Sequence, residues 1–298
     1  MGVFISNSKK ENLRKDPYVM VLGIAQDAGY PQVNCKMKCC EKAWRNVALH
    51  KMATSLAIID PTSNQQWVID ATPDIKFQLR LLETQTKINP LDGIFITHAH
   101  IGHYAGLMQL GREVIGTKNM PVYVMKKMKS FIKRNAPWNQ LIKIKNILLK
   151  DLENKQAIQL NKRIKITPFL VPHRDEYSET VGYRIETKKK TLIYIPDIDK
   201  WHDWDTDISN LITNVDYALL DGTFYQDGEL ERDMSEIPHP FVKETMALFS
   251  KHSKEDKQKI YFIHLNHTNP LLIDGSVEQK EVVRLGFNIA KQGNVIEL

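Results

Sequence analysis

The amino-acid sequence predicts an α/β chain, α+β in the way its strands and helices segregate, folded as one domain of two packed β-sheets with helices outside. Three observations carry this expectation. Short apolar strands precede helices in each half of the chain, the two halves are organised alike, and no linker or low-complexity tract separates them. With 298 residues and 42% apolar content, the chain can bury one large core. The domain is expected to span 18–298, behind a polar N-terminal extension at 1–17.

The elements follow from punctuation and period. Tyr18 to Ile24 is an apolar run closed by the turn from Asp27 to Pro31, and Thr54 to Ile59 with Gln66 to Ile69 flank a Pro61/Ser63/Asn64 turn in a hairpin pattern. Thr72-Pro73-Asp74 followed by Ile75, Leu79 and Leu82 reads as a capped helix with proline in its first turn. Gly93 to Thr97 is a short strand ending at His98, a helix is expected around Ala105 to Val114, and Pro121 to Met125 is a further strand. In the second half, Ile164 to Leu170, Thr180 to Ile185, Thr191 to Ile195, Tyr217 to Leu220 and Ile260 to Ile263 read as strands, with a helix at Phe241 to Phe249.

Charge is unevenly distributed. The net charge is +6, yet Lys118 to Lys165 holds 13 Lys/Arg against Asp151 and Glu153, so this stretch carries +11 and the remainder −5. Such a segment suits a small anionic substrate. It leaves nucleic acid open as a partner, although no stacking platform or nucleic-acid motif accompanies it; a homodimer stays open as well. No run approaches the roughly 20 apolar residues of a membrane span, and the start lacks the apolar core of a signal peptide. A soluble, cytoplasmic chain with no membrane partner is expected.

Chemistry concentrates after the strand Gly93 to Thr97, where His98, His100 and His103 place three imidazoles within six residues. Neutral imidazole is a common ligand of zinc, iron and similar metals, and a strand end followed by a tight turn aims several at one point. Cysteine usage is equally clustered. Cys35, Cys39 and Cys40 are the three cysteines of the chain, an odd set that makes a poor disulfide framework and a better metal cluster.

The histidine loop resembles the HxHxDH signature of the metallo-β-lactamase superfamily, and further landmarks fall in that family's order: His173 after Val171-Pro172, Asp197 after the strand Thr191 to Ile195, and His264 after Ile260 to Ile263. Asp70 matches an early aspartate that buttresses the loop without binding metal. The resemblance covers Tyr18 to Leu298 and implies a four-layer αββα sandwich with metals at the edge between the sheets. It further implies a first metal site of His98, His100, His173 and Asp197, and a second of His103, Asp197 and His264. Gly102 stands where the signature places an aspartate, so one tight catalytic zinc and a weaker second ion are expected, with manganese or iron as alternatives.

Cys35, Cys39 and Cys40 are one ligand short of a closed structural zinc site, and His267, three residues after His264, is the candidate fourth. The phosphodiesterases of phosphonate breakdown hold a zinc with a similar pairing. The chain is most similar to the pyrroloquinoline quinone biosynthesis protein B family, through Gly29-Tyr30-Pro31-Gln32, Asn34-Cys35, Gly111-Arg112-Glu113, Leu220 to Thr223 and His264 to Pro270. Members of that family tend to lack part of the histidine loop, whereas this chain keeps all three histidines.

Asp221 and His239 resemble the pair in superfamily phosphodiesterases and transfer-RNA 3′-processing nucleases in which an acidic residue orients a histidine that protonates the leaving oxygen. Asp221 as an extra metal ligand is the lesser alternative. The reading is a metal-dependent hydrolase of a phosphodiester or related ester, in which the metal would generate a hydroxide nucleophile. The alternative is an oxidative enzyme using a redox metal at the same ligands. A non-catalytic binding module is disfavoured by the complete first site, and β-lactamase activity has no specific support.

Overall fold

A computed structural model describes residues 14–88 and 90–298; residues 1–13 of the polar extension lie outside the described residues. In the first half, β1 (Tyr18–Gly23), α1 (Lys38–Arg45), β2 (Ser55–Asp60), β3 (Gln65–Ile69), α2 (Ile75–Thr86), β4 (Gly93–Phe95), α3 (Ile101–Tyr104), β5 (Met120–Val124), α4 (Lys126–Arg134), α5 (Trp138–Lys143) and β6 (Ile147–Asp151) follow in order. The second half holds β7 (Ile158–Gln159), β8 (Lys165–Leu170), β9 (Val181–Glu186), β10 (Thr191–Ile195), α6 (Ile208–Thr213), β11 (Tyr217–Asp221), α7 (Val242–Leu248), α8 (Lys254–Gln258), β12 (Ile260–Ile263), α9 (Val277–Arg284), β13 (Asn288–Ile289) and β14 (Val295–Glu297).

Two mixed sheets face each other, ordered β14-β1-β2-β3-β4-β5-β6 and β13-β12-β11-β10-β9-β8-β7. Strand periodicity decides which side chains meet. On β1, Val19 and Val21 point into the sandwich with Leu56, Ile58, Ile166, Tyr183 and Ile185, whereas Tyr18, Met20 and Leu22 face outward beneath Leu82 of α2. Helices α4 and α5 cover the same sheet farther along through Met128, Ile132 and Leu141 over Val122 and Ile147. Val242, Met246 and Phe249 cover the second sheet. The result is the expected αββα sandwich.

Boundaries differ from expectation where the backbone turns toward the site. Strand β4 ends at Phe95 rather than Thr97: the Ile96 N–H still reaches Tyr123 of β5, but the Thr97 N–H turns to the Asp70 carboxylate at 2.8 Å. The helix expected over Ala105 to Val114 is a short α3 followed by a 3-10 turn at Ala105–Leu110. Gly106 packs so closely on the 71–72 backbone that a Cβ there would lie 2.1 Å from the Thr72 carbonyl oxygen. Pro73 precedes α2 instead of lying in its first turn; Asp74 stands at the N-cap, and its carboxylate accepts the Ala53 N–H at 2.8 Å rather than capping the helix. The basic stretch is part of the scaffold. It builds β5, α4, α5 and β6 at one edge of the first sheet and passes into β7 and β8 of the second. Among the described residues, no helix is long and apolar enough to cross a membrane.

The sheets are stitched together beside the site. The Tyr183 hydroxyl of β9 donates to the Ile96 carbonyl at 2.7 Å, the Val181 N–H to Thr97 at 3.2 Å, and the Leu265 N–H to Ile24 at 2.8 Å. Tyr183 is fully buried, so Tyr183→Phe leaves the Ile96 carbonyl without this donor while conserving shape. It is expected to cost about 1–3 kcal/mol, read as a lower urea midpoint with an unchanged m-value.

Candidate metal centre

The C-terminal ends of parallel strands deliver most of the site. Strands β3 and β4 run parallel and lead out to Asp70 and to Thr97-His98, while β10, β11 and β12 run parallel and lead out to Asp197, Asp221 and His264. His173 follows β8. Asp70 and His264 hold left-handed backbone angles, φ 69° and 65°, which turn each chain sharply out of its strand.

The first expected group converges. His98 Nε2 lies 3.3 Å from Asp197 Oδ2, His173 Nε2 lies 3.2 Å from Asp197 Oδ1, and His173 Nε2 lies 3.3 Å from His100 Nδ1. A tetrahedral ion with Zn–N and Zn–O near 2.0–2.1 Å sets its ligand atoms about 3.3 Å apart, so this spacing already fits one. On the other side of Asp197 Oδ2 stand His103 Nε2 and His264 Nε2, each at 3.9 Å. His98, His103, His173, Asp197 and His264 are buried, whereas the His100 side chain is 19% exposed and marks the mouth.

Two aspartate–threonine pairs decide which ring nitrogens face inward. The Thr97 hydroxyl is within 3.0 Å of both Asp70 oxygens and of His98 Nδ1. Its one proton goes to the carboxylate, so it accepts from His98 Nδ1–H and leaves a lone pair on Nε2. Thr223 repeats the device, donating to Asp221 Oδ1 at 2.6 Å and accepting from His264 Nδ1 at 2.9 Å. His103 Nδ1 donates directly to Asp70 at 2.7 Å, and His173 Nδ1 to Asp199 at 2.9 Å. Nε2 of His98, His103 and His264 and Oδ1 of Asp197 are consequently buried without a hydrogen-bond partner. Buried acceptors aimed at one another are costly unless a cation joins them, so the residues present fit a metal.

Electrostatics agree with that fit. Burial, with His103 nearby, pushes His98 well below the ordinary imidazole range. Burial disfavours charge on His103 and His173 too, but there the carboxylates win: Asp70 foremost holds His103 at about 9, and Asp197 with Asp199 holds His173 at about 10. A cation bound at their Nε2 atoms takes the place of those protons.

His239 stands beside this group on the loop between β11 and α7. Phe224, Met234, Ile237 and Phe241 form a small apolar cluster under the loop. Its Nδ1 lies 2.8 Å from Asp221 Oδ2 and 3.2 Å from Asp197 Oδ1. Burial would lower its proton affinity, yet Asp221 and Asp197 together raise it. Asp221 is fully engaged, accepting from Ile198 N, Thr223 N, Thr223 Oγ1 and His239, an environment suited to orienting His239 rather than to ligation.

The four expected residues of the second cluster also meet. Sγ of Cys39 is 3.9 Å from Cys35 and 4.0 Å from Cys40, and His267 Nδ1 is 3.6 Å from Cys39 and 3.5 Å from Cys40. A tetrahedral zinc with Zn–S near 2.3 Å places sulfurs about 3.8 Å apart and a nitrogen about 3.5 Å from each. Adjacent Cys39 and Cys40 both reach the cluster because they open α1. Burial pushes both thiols up, so thiolates persist there only with a cation in place of their protons.

Sequence reasoning passed over Thr97, Thr223, Asp199 and Asp27. Asp199, two residues after Asp197, and the threonines, each at a strand end beside a named landmark, were findable by position. Asp27 reads as part of a turn, and only folding brings its carboxylate 3.6 Å from His103 Nε2. Of the basic segment, Lys127 is tied to the loop at the mouth: its backbone N–H bonds Glu179, on the loop whose Glu176 lies 3.5 Å from His100.

Two outcomes follow from this geometry. Asp70→Asn removes the acceptor that fixes His103 and Thr97, and zinc-buffer titration is expected to show about 10–100-fold weaker retention of active-site metal. Cys39→Ser is expected to lose the ion held by the cysteine cluster and to lower the thermal midpoint, with elemental analysis and calorimetry as the readouts.

Residues 66–265 match the profile of the family described as the beta-lactamase superfamily domain. Coenzyme PQQ synthesis protein B of Methylorubrum extorquens is 26% identical, covering 94% of this chain and 100% of its own length. The protein of that name in Pseudomonas putida is 26% identical over the same shares. Zinc-bound PqqB from Methylobacterium extorquens has a similar fold, with a TM-score of 0.79 at 22% identity over 94% of this chain and 100% of that one. A diphosphatase of the PhnP family reaches 0.64 at 20% identity over 95% and 97%. The matched span runs past every strand end from Asp70 to His264, and the chain belongs to the beta-lactamase superfamily.

Proposed function

We propose that this protein is a metal-dependent hydrolase of a phosphodiester or related ester, with His239 as general acid. The observation that carries the reading is the set of unpartnered nitrogens of His98, His103 and His264 gathered around Oδ2 of Asp197, whose Oδ1 is also unpartnered and has His239 alongside. His98, His100, His173 and Asp197 would hold the tighter ion. When bound, a metal at these ligands supplies Lewis-acid stabilisation of developing oxyanion charge and lowers the pKa of a water toward about 7. Zinc suits the nitrogen and carboxylate donors and the tetrahedral spacing. The cysteine cluster with His267 would hold a separate structural zinc.

The rest of the chemistry belongs to the side chains. Asp221 fixes the His239 ring through Nδ1, which leaves Nε2–H to donate to a departing alkoxide. Asp197 beside the same ring favours the protonated form that a donor requires. Lys127, whose backbone N–H bonds Glu179 on the loop that carries Glu176 to His100, is the basic-segment residue that would meet an anionic substrate.

A second reading is favoured by one observation, the full-length similarity to coenzyme PQQ synthesis protein B. It keeps the ligands and replaces zinc with a redox metal in an oxidative reaction of that synthesis. Metal analysis of the isolated protein separates the two, zinc or manganese supporting hydrolysis and iron supporting oxidation.

The test combines a screen of a phosphodiester, a thioester and a lactam with metal quantified on the same sample. His98→Ala is expected to lose metal. His239→Ala is expected to keep its metal and to lose about 10²–10⁴-fold in kcat on a phosphodiester with an alkyl alcohol leaving group. Its loss on a nitrophenyl ester, whose leaving group needs no proton, is expected to be much smaller. Equal rates of variant and wild type on the alkyl ester would remove His239 from the mechanism.

A further inference from the structure

The superfamily signature places an aspartate at position 102, and the structure shows why this chain cannot. The loop after β1 lies against Gly102 so closely that a Cβ there would sit 2.3 Å from Asp27 Cα and 2.2 Å from Asp27 Oδ1. The Gly102 N–H points at that same carboxylate oxygen, 3.2 Å away. The loop is held in place from behind, because Ala25 bridges both Ala53 and Leu265, and the Gln26 N–H donates to Leu265 at 2.9 Å. Leu265 directly follows His264, so the loop that carries Asp27 and the turn that carries His264 are fixed to each other.

We propose that Asp27 is the carboxylate ligand of the second active-site cation, completing a site with His103, His264 and the shared Asp197. Three observations carry it. Asp27 Oδ1 lies 3.6 Å from His103 Nε2, and ligand atoms of Asp27, His103 and His264 all lie within 4.8 Å of one another. His103 Nε2 and His264 Nε2 are buried, unpartnered and turned inward by Asp70 and Thr223. The Asp27 side chain is 30% exposed, so the second ion sits at the solvent side of the pair, where it can exchange and meet substrate.

The anionic ligand has therefore moved from the histidine loop to the loop after β1, with glycine at 102 leaving room for it. The second site regains the negative charge that the sequence seemed to lack. Two dications sharing Asp197 repel each other, and a second carboxylate beside one of them offsets part of that repulsion.

The inference rests on the proposed metal centre, and its test keeps the two apart. Chelator-stripped wild type, Asp27→Asn, Asp27→Ala, His264→Ala and His98→Ala are equilibrated in zinc buffers, and bound zinc is counted by atomic emission. Wild type is expected to take up one cation that both Asp27 variants and His264→Ala load only at free zinc at least about tenfold higher. All three should retain the ion at His98 and the ion at the cysteine cluster, which also shows that they fold. Loading of the Asp27 variants indistinguishable from wild type, whether one or two active-site ions are counted, overturns the role of Asp27. Zinc binding by His98→Ala equal to that of wild type would instead overturn the metal centre itself.

Discussion

A hydroxyl with a single proton governs this site. Thr97 gives its proton to Asp70 and so must accept from His98; Thr223 gives its proton to Asp221 and so must accept from His264. Each choice fixes a tautomer, and each tautomer turns a bare Nε2 inward. One such pair terminates each sheet, so both halves of the sandwich present lone pairs to the same small volume. Without the pairs, the imidazoles could rotate or exchange protons among themselves and satisfy one another.

The arrangement also ties binding to proton transfer. Asp221 receives Nδ1 of His239 with one oxygen and, through Thr223, sets His264 with the other. A single carboxylate thus supports a candidate ligand and the candidate acid. Replacing Asp221 would disturb both functions together, whereas His239 can be changed with the Thr223–Asp221 pair left in place. The fold carries a cost for this geometry, since Asp70 and His264 occupy left-handed backbone angles. Backbone bonds beside them hold them there, from Asp70 N–H to Phe95, Ala71 N–H to His103 and Leu265 N–H to Ile24.

Much of this was legible in the sequence because the chemistry sits at strand ends, and strand ends are where an apolar run stops. His98, Asp197, Asp221 and His264 each follow a run that reads as a strand without ambiguity. Residues whose role depends on distant contacts were hidden. Asp27 lies 75 residues from Gly102, and its surroundings, Asp27-Ala28-Gly29, signal only a turn. The missing helix after Tyr104 has the same origin: apolar spacing suggested an α-helix, but Gly106 must press on the 71–72 backbone, and the tighter 3-10 turn permits this. The short edge strands β7, β13 and β14 went unread because two or three residues carry no period. The elements of the basic stretch were hidden by its composition, since its lysines stud ordinary scaffold, where Lys129 pairs with Asp151.

The stitching of Ala25 to both Ala53 and Leu265 has a consequence for how the protein matures. The inward-facing donors are drawn from positions 27 to 264, and neither sheet alone assembles a complete set. Under the proposed metal centre, capture of an ion would therefore require finished tertiary structure, because an incompletely folded chain would offer only scattered donors. On that reading, retention of metal would report that both halves have docked.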